Sequence, residues 1–253
     1  MAGLAGKKST LWTRSSRTLD SKPPSPDKTR PIRTFGRIGG RSLSARQQDL
    51  IDVLLPHLAV PEADARTLDP ATLFTPAKEE IWLEIGFGGG EHLTGQAAKH
   101  PDIGLIGCEP FIEGMAKALG QIEDSGLTNV RLHMDDARPV IERLVSQSVD
   151  RVFILFPDPW PKKRQQKRRL IQPDFLDQLL RVVRPGGRLR FATDVKSYAD
   201  EALAHFIAHP ALSWTATKAD DWRAPPGDHL TTRYETKKLG DCAPVWYDFL
   251  VDT

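Results

Sequence analysis

The sequence predicts a doubly wound α/β fold with a mostly parallel, seven-stranded sheet. Short apolar runs alternate with helical segments between residues 81 and 208, and a glycine-rich turn follows the first apolar run. The last two apolar runs have no evident helix between them. Strands that are connected through helices run parallel, with helices on both faces of the sheet. The last two runs therefore predict an antiparallel edge strand.

The predicted elements follow one another at short intervals. The expected strands, each a short apolar run of the type buried in such sheets, span residues 81–85, 104–109, 130–133, 152–156, 189–193, 212–217 and 245–251. The expected helices span residues 45–55, 91–99, 112–124, 139–144, 172–183 and 198–208. The helix at 172–183 is expected to end at Pro185-Gly186-Gly187, because Pro and Gly stop helices.

Charge divides the chain into two parts. Residues 1–46 carry eleven Lys or Arg and two Asp, a charge of +9, whereas the whole chain carries +2, which leaves −7 for the remainder. The stretch from Ser21 to Pro26 is rich in Ser and Pro and cannot build a packed core. The sequence thus predicts a basic, disordered arm over residues 1–40 and a folded domain over residues 41–253.

The two cysteines, Cys108 and Cys242, form neither a disulfide framework nor a metal-ligand spacing. They fit a reducing cytoplasm, and we expect no metal. No apolar stretch is long enough to span a membrane. The basic, Ser-containing N-terminus resembles a transit peptide, although Pro23, Pro24 and Pro26 would break an amphipathic helix there. Import into an organelle is the alternative to a cytoplasmic location.

A glycine turn at residues 84–90, Glu-Ile-Gly-Phe-Gly-Gly-Gly, follows the first strand, where a doubly wound sheet places its ligand. A dinucleotide fingerprint would need Gly at the position of Glu91, and an acid at that helix start would repel a pyrophosphate. The turn therefore favours a neutral or cationic ligand such as S-adenosylmethionine. The pattern acid-x-Gly-x-Gly-x-Gly resembles the first motif of class I methyltransferases, and a purely structural turn is the alternative.

Acidic residues follow the next two strands. Glu109 ends the second strand, where an acid bonds ribose hydroxyls in doubly wound nucleotide sites; a solvated carboxylate is the alternative. Asp135-Asp136-Ala137 follows the third strand, where an acid can accept a hydrogen bond from an adenine amino group. We prefer Asp136, because Asp-Ala is the form that the methyltransferase pattern takes, whereas Asp135 can cap the next turn.

A rigid turn at residues 157–161, Pro-Asp-Pro-Trp-Pro, follows the fourth strand. Its prolines fix φ at alternate positions, so Asp158 and Trp160 are held in place. The alternatives are a turn former for Asp158 and a core side chain for Trp160. The cations from Lys162 to Arg169 predict phosphate binding beside this turn, with a solvated face as the alternative.

Three segments resemble the tRNA (guanine-N7)-methyltransferase family: Phe-Pro-Asp-Pro-Trp-x-Lys at 156–162, Ala-Thr-Asp at 192–194 and Thr-x-Tyr-Glu at 232–235. The resemblance runs from about residue 35 to the C-terminus, and departs at Gln165, where the family has His, and at Pro161, where some members have His. It implies a Rossmann-like class I methyltransferase fold. It also implies methyl transfer from S-adenosyl-L-methionine, which leaves as S-adenosylhomocysteine, to N7 of guanine 46 in the variable loop of tRNA. No obligatory protein partner is evident, and a monomer or a homodimer is expected.

The resemblance also implies roles for individual residues. Asp158 would be the catalytic residue. The cofactor contacts would be Glu84, Gly86, Gly88, Glu109, Asp136, Ala137 and Asp158. The tRNA contacts would be Lys162, Asp194, Thr232, Arg233, Tyr234 and Glu235.

The chemistry of guanine N7 agrees with these residues. N7 carries a free lone pair at neutral pH, so no base is needed to create the nucleophile. Rate must come from alignment and electrostatics, and a fixed carboxylate such as Asp158 can stabilise positive charge arriving on the base. Two rivals stay open. Methyltransferases of exocyclic amines typically carry a Pro-Pro-aromatic turn at this place, and a non-catalytic RNA-binding module could retain the fold.

Overall fold

The computed structural model describes residues 42–62 and 67–252. The basic arm predicted over residues 1–40 lies outside the described residues, so its disorder and the division of the chain stay predictions. Within the described ranges, no helix is long and apolar enough to cross a membrane.

A single seven-stranded sheet forms the centre of the described chain. Its strands are β1 (Glu80–Ile85), β2 (Ile103–Cys108), β3 (Val130–His133), β4 (Val149–Leu155), β5 (Val183–Thr193), β6 (Leu212–Trp214) and β7 (Val245–Val251). Their order across the sheet is β3-β2-β1-β4-β5-β7-β6. Strands β1 to β5 pair in parallel, and β7 pairs antiparallel with both β5 and β6. The predicted fold class and the antiparallel pairing at this edge are confirmed.

Helices cover both faces of this sheet. They are α1 (Ala45–Asp49), α2 (Leu55–Leu58), α3 (Glu91–Lys99), α4 (Ile112–Ser125), α5 (Arg138–Arg143), α6 (Pro173–Val182), α7 (Lys196–Ala208), α8 (Asp220–Arg223) and α9 (Arg233–Lys237). A π-helical turn at Leu50–Leu54 joins α1 to α2. Short 3-10 helices lie at Pro70–Leu73 and Lys163–Arg168. The first helical stretch begins where predicted because Ser44 and Gln47 form a reciprocal capping box.

Successive side chains of a strand point to opposite faces of the sheet and contribute to two buried hydrophobic clusters, one on each face. In β4, Val152 and Ile154 pack into the cluster that contains Leu179 of α6 and Phe206 of α7. Phe153 packs into the other cluster with α3 and α4. Full burial of each such side chain contributes about 1.5–3 kcal/mol to folding. The central strands are therefore fixed from both sides, and their ends form a rigid base for the loops that follow.

The prediction that Pro185-Gly186-Gly187 ends a helix is wrong. Helix α6 ends at Val182, and Pro185-Gly186-Gly187 lies within β5. The register between β4 and β5 shifts there, since Val149 pairs with Val183 but Arg151 pairs with Arg188. The Pro and Gly residues therefore lie at an irregularity within strand β5 and do not end helix α6.

Two short helices, α8 and α9, lie between β6 and β7, where no helix was evident from the sequence. Each covers little more than one turn, which is too short to produce an apolar periodicity. The capping box between Thr232 and Glu235 at the start of α9 was the readable signal.

Candidate active site

A cleft of about 400 Å³ lies at the carboxyl ends of the parallel strands. The strand order reverses between β1 and β4, and such switch points are where doubly wound sheets bind ligands. The predicted site residues that line the cleft are Glu84, Gly86, Gly88, Glu109, Asp136, Ala137, Asp158, Thr232, Arg233 and Tyr234. Lys162, Asp194 and Glu235 are not among its lining residues.

The glycine turn after β1 brings backbone close to α4. Gly88 has φ of 57°, and a Cβ on Gly114 of α4 would lie 2.2 Å from the Gly88 carbonyl oxygen. Gly90 has φ of 83°, and a Cβ there would lie 2.6 Å from Cβ of Ala118. Side chains at these positions would force the turn away from the helix, so the residues that precede α3 depend on glycine.

Glu109 holds the glycine turn in place. One carboxylate oxygen accepts the Gly88 N–H at 2.7 Å, and the other accepts the Phe111 N–H at 2.9 Å. Only 7% of Glu109 is exposed. Burial raises the pKa of this carboxyl to about 7, against the two backbone hydrogen bonds, which favour the ionised form. Each oxygen still has a lone pair that can accept from a ligand hydroxyl.

Glu84 is oriented by a buried chain of polar side chains. His92 Nδ1 donates to Glu84 Oε2 at 2.8 Å, and both residues are at most 3% exposed. Gln96 Nε2 lies 3.2 Å from His92 Nε2 and donates to the Asp228 carbonyl oxygen at 2.8 Å. This chain connects the end of β1 with the loop before α9. The sequence carries one signal for this contact: His92 and Gln96 stand at i and i+4, on one face of α3.

Asp136 and Ala137 close the other end of the cleft. Asp136 accepts the Arg138 backbone N–H at 2.9 Å and the Arg138 guanidinium at 2.7 Å. Asp135 accepts the N–H of Asp136 at 2.7 Å, a local bond within the turn. Ala137 is buried. Arg138 thus fixes the orientation of the Asp136 carboxylate. Both Asp135 and Asp136 line the cleft, so the choice of Asp136 as the acid that binds a ligand stays a prediction.

The proline turn after β4 is strained and faces the cleft. Phe156 has φ of 52° and Trp160 has φ of 41°, a region that bulky residues rarely adopt. Asp158 and Trp160 both line the cleft, and neither belongs to the hydrophobic clusters of the described residues. Desolvation by the cleft walls raises the pKa of the Asp158 carboxyl. The Arg168 guanidinium lies 5.1 Å from the centroid of the Trp160 ring.

Helix α9 presents Arg233 and Tyr234 to the same cleft. The Tyr234 ring lies 5.6 Å from the Phe156 ring, and Arg233 forms a 3.1 Å ion pair with Glu91 at the start of α3. Glu235 points away from the cleft, because it accepts from the Thr232 N–H and from His229 Nε2, both at 2.8 Å. Burial opposes ionisation of Glu235, yet these hydrogen bonds lower its pKa overall.

Besides Glu235, two further predicted tRNA contacts, Lys162 and Asp194, lie outside the cleft, each for a different reason. Lys162 is exposed and precedes the 3-10 helix beside the proline turn. Asp194 is 4% exposed, and its carboxylate accepts the Gly240 N–H at 2.9 Å. Asp194 therefore fixes the segment that follows α9, and a direct contact with tRNA stays a prediction.

The predicted cation run needs one correction. Lys162, Lys163, Arg164 and Lys167 are exposed, as phosphate contacts must be. The side chain of Arg169 is fully buried, so its predicted contact with phosphate is wrong. Its guanidinium instead donates to neighbouring backbone and side-chain oxygens beneath the proline turn.

Fold and cleft together define the class of protein. A seven-stranded sheet of this order, with an acid-lined cleft at the β1–β4 switch point, is that of class I methyltransferases. The solved 16S rRNA methyltransferase KamB is similar, with a TM-score of 0.51 at 15% identity over 70% of this chain and 89% of that chain. The 16S rRNA (adenine(1408)-N(1))-methyltransferase from Catenulisporales acidiphilia gives 0.52 at 16% identity over 78% of this chain and 97% of that chain. These likenesses concern the fold alone.

Sequence comparison identifies the family. Residues 78–246 match the family model described as "Putative methyltransferase". The chain is 59% identical over 220 residues to the tRNA (guanine-N(7)-)-methyltransferase of Hyphomonas neptunium, over 87% of this chain and all of that protein. It is 51% identical to the protein of that name from Caulobacter sp. strain K31, over 87% of this chain and 95% of that protein. The chain belongs to the tRNA (guanine-N(7)-)-methyltransferase family, as the resemblance in its motifs predicted.

Proposed function

We propose that this protein transfers the methyl group of S-adenosyl-L-methionine to N7 of guanine 46 in the variable loop of tRNA, forming 7-methylguanosine. The observation that carries the proposal is the position of Asp158. This carboxylate lies on a strained, proline-fixed turn and lines the same cleft as Glu109 and the glycine turn. The family relatives named for guanine-N7 methylation of tRNA support the substrate and the target atom.

The cleft fits S-adenosylmethionine in size and donor set. A Cβ on Gly86 or Gly88 would meet nothing within 4 Å, so the turn leaves open space for a ligand. A volume of about 400 Å³ lies within the usual range of small-molecule sites, about 300–1,000 Å³. Glu109 would accept hydrogen bonds from ribose hydroxyls, and Asp136 would accept one from the adenine amino group.

When bound, the cofactor supplies an electrophilic methyl group on a sulfonium. No metal is needed for this reaction.

The chain's own residues align the base and stabilise charge. Asp158 does not act as a base, because N7 already carries a free lone pair. Its carboxylate stabilises the positive charge that the purine gains during transfer. Trp160 lines the cleft beside it and can stack on the purine, a contact worth about 1–3 kcal/mol in nucleic-acid complexes. The proline turn supplies the fixed geometry that alignment requires.

A cationic rim next to the cleft suits a structured RNA. Lys162, Lys163, Arg164 and Lys167 are exposed on the segment that follows the proline turn. Lys117, Arg233 and Lys237 line the cleft itself. Cations at these places would contact tRNA phosphates and fix the register of the variable loop. A tRNA substrate also agrees with a cytoplasmic location, and the protein would act as a monomer or a homodimer.

Base-specific cleavage tests the proposal. Unmodified tRNA is incubated with the protein and labelled S-adenosylmethionine, then reduced with borohydride and treated with aniline, which cuts at N7-methylated guanine. We expect one cut at position 46, and none in a tRNA that carries adenine there. Label without cleavage would refute N7 as the target atom. Intact binding of tRNA without label would favour a non-catalytic RNA-binding module.

A further inference from the structure

Arg169 is a buried arginine that the mechanism above does not use. Among the described residues, Arg169 has the largest side chain that is fully buried, and its guanidinium is not exposed at all. Buried guanidinium groups are retained only where hydrogen bonds and counter-charges replace water. The position of Arg169, at the end of an exposed cationic segment, does not explain this burial.

The hydrogen bonds of Arg169 join helix α7 to the proline turn. Nε donates to the carbonyl oxygen of Pro159 at 2.9 Å. The two terminal nitrogens donate to the carbonyl oxygen of Ser197 at 3.0 Å and to Ser197 Oγ at 2.8 Å. Glu201 supplies the counter-charge to the same guanidinium. The guanidinium also lies 4.8 Å from the centroid of the Tyr198 ring. One side chain thus fixes the residue between Asp158 and Trp160 to the first turns of a packed helix.

The composition of the turn makes this connection important. Pro157, Pro159 and Pro161 have no N–H, so the turn has few donors with which to bond the protein. A carbonyl oxygen must serve instead, and Pro159 offers its own to Arg169. At the preceding end, Phe156 N–H donates to the Ala192 carbonyl oxygen at 2.8 Å. Strained residues such as Phe156 and Trp160 persist only where their surroundings over-determine them.

We propose that Arg169 is a positioning residue, which sets the place of the Asp158 carboxylate in the cleft by holding the Pro159 carbonyl. The proposal rests on the proposed function of Asp158. It separates Arg169 from its neighbours in the cationic segment: Arg169 governs the rate of methyl transfer, whereas the exposed cations govern tRNA affinity.

The test compares Arg169→Gln with Arg181→Gln. Arg181 is a matched control, because its guanidinium also donates to backbone carbonyl oxygens, those of Leu144 at 2.8 Å and Ile141 at 2.7 Å, and it does not line the cleft. For folded Arg169→Gln we expect a single-turnover methyl-transfer rate about 100-fold lower, as a displacement of about 1 Å produces. We expect an unchanged tRNA affinity and salt dependence. Arg181→Gln should retain the wild-type rate at a temperature where it is folded.

A double-mutant cycle separates positioning from general support of the fold. If Arg169 acts through the carboxylate, Arg169→Gln should slow Asp158→Asn by less than about threefold. Equal slowing in both backgrounds would overturn the proposal, as would a normal rate in Arg169→Gln. A tRNA affinity that falls with a shallower salt slope would instead make Arg169 a phosphate contact. If Arg169→Gln does not fold, Ser197→Ala takes its place in the same double-mutant cycle, because it removes the hydroxyl oxygen that accepts from Arg169. Wild-type protein that does not methylate tRNA would refute the proposed function itself.

Discussion

The two sides of the cleft are built in different ways. On the side proposed to bind the cofactor, Glu84 and Glu109 stand at the ends of β1 and β2, are at most 7% exposed, and are fixed by neighbours on adjacent elements. On the side proposed to receive the base, Asp158 is exposed on a loop whose strained backbone accepts a hydrogen bond from Arg169. The first side follows from the topology of the sheet, whereas the second depends on a few long-range hydrogen bonds. Binding and chemistry should therefore respond separately to mutation.

The largest effect is expected from Asp158→Ala, which removes the carboxylate that we propose stabilises positive charge on the purine during methyl transfer. Removal of one such group typically lowers a rate by about 100- to 1,000-fold. The affinity for tRNA should change little, because Asp158 contributes no positive charge. Single-turnover methyl transfer and filter binding measure the two quantities. A near-normal rate would remove the catalytic role of Asp158.

Neutralising the exposed cations should weaken tRNA binding without a change in rate at saturating tRNA. In Lys163→Gln with Lys167→Gln, each lost phosphate contact should flatten the slope of log affinity against log salt by about 0.7–0.9. Lys218→Gln is the control, since Lys218 is exposed near the edge strand β6 and does not line the cleft. An unchanged slope in the double variant would assign this segment to a solvated face.

The affinity for S-adenosylmethionine should rise with pH through about 7. Burial raises the pKa of Glu109 from 4.5 to about 7, and ribose hydroxyls donate to the ionised form. Between about pH 6 and about pH 8 the ionised fraction grows up to about tenfold, which sets the upper limit of the effect. Calorimetry at several pH values should give a flat profile for Glu109→Gln. A rise that persists in this variant would assign the titration to another group.

The same shift has a consequence for stability. Folded protein holds the Glu109 proton between pH 4.5 and about pH 7, whereas unfolded protein has released it. The contribution of Glu109 to the free energy of unfolding therefore falls as pH rises through this window. Glu109→Gln should remove this dependence. The unfolding free energy of the variant minus that of the wild type should therefore increase as pH rises from 4.5 toward 7.

The smallest effect is expected from Thr232→Ala, which removes half of the capping box of α9. Loss of a cap costs about 1 kcal/mol, so amides in α9 should exchange with solvent about fivefold faster. Thr236→Ala is the control within the same helix, because its hydroxyl donates to the Arg233 carbonyl oxygen and caps nothing. Equal exchange in the two variants would show that the cap does not hold α9.

Sequence and structure agree best where the position of a residue follows from strand order. The location of the glycine turn, Glu109 and Asp136 in the cleft was predictable, because each lies in the loop after a strand whose carboxyl end meets the others at the switch point. The burial of Arg169 was not, since its partners Ser197 and Glu201 lie 28 and 32 residues away and most of the cations that precede it are exposed. Asp194 belongs to a readable motif, yet its bond to Gly240 depends on a loop that the sequence pattern does not place.

We propose that the cleft separates cofactor binding from base chemistry, and a crossed comparison of two variants tests this separation. The dissociation constant of S-adenosylmethionine and the single-turnover rate at saturating cofactor are measured for Asp158→Asn and Glu109→Gln. We predict that Asp158→Asn binds the cofactor nearly as tightly as the wild type but transfers methyl about 100-fold more slowly. Glu109→Gln should bind the cofactor more weakly and transfer methyl at nearly the wild-type rate. Equal losses of affinity and rate in both variants would show that the two sides of the cleft do not act separately.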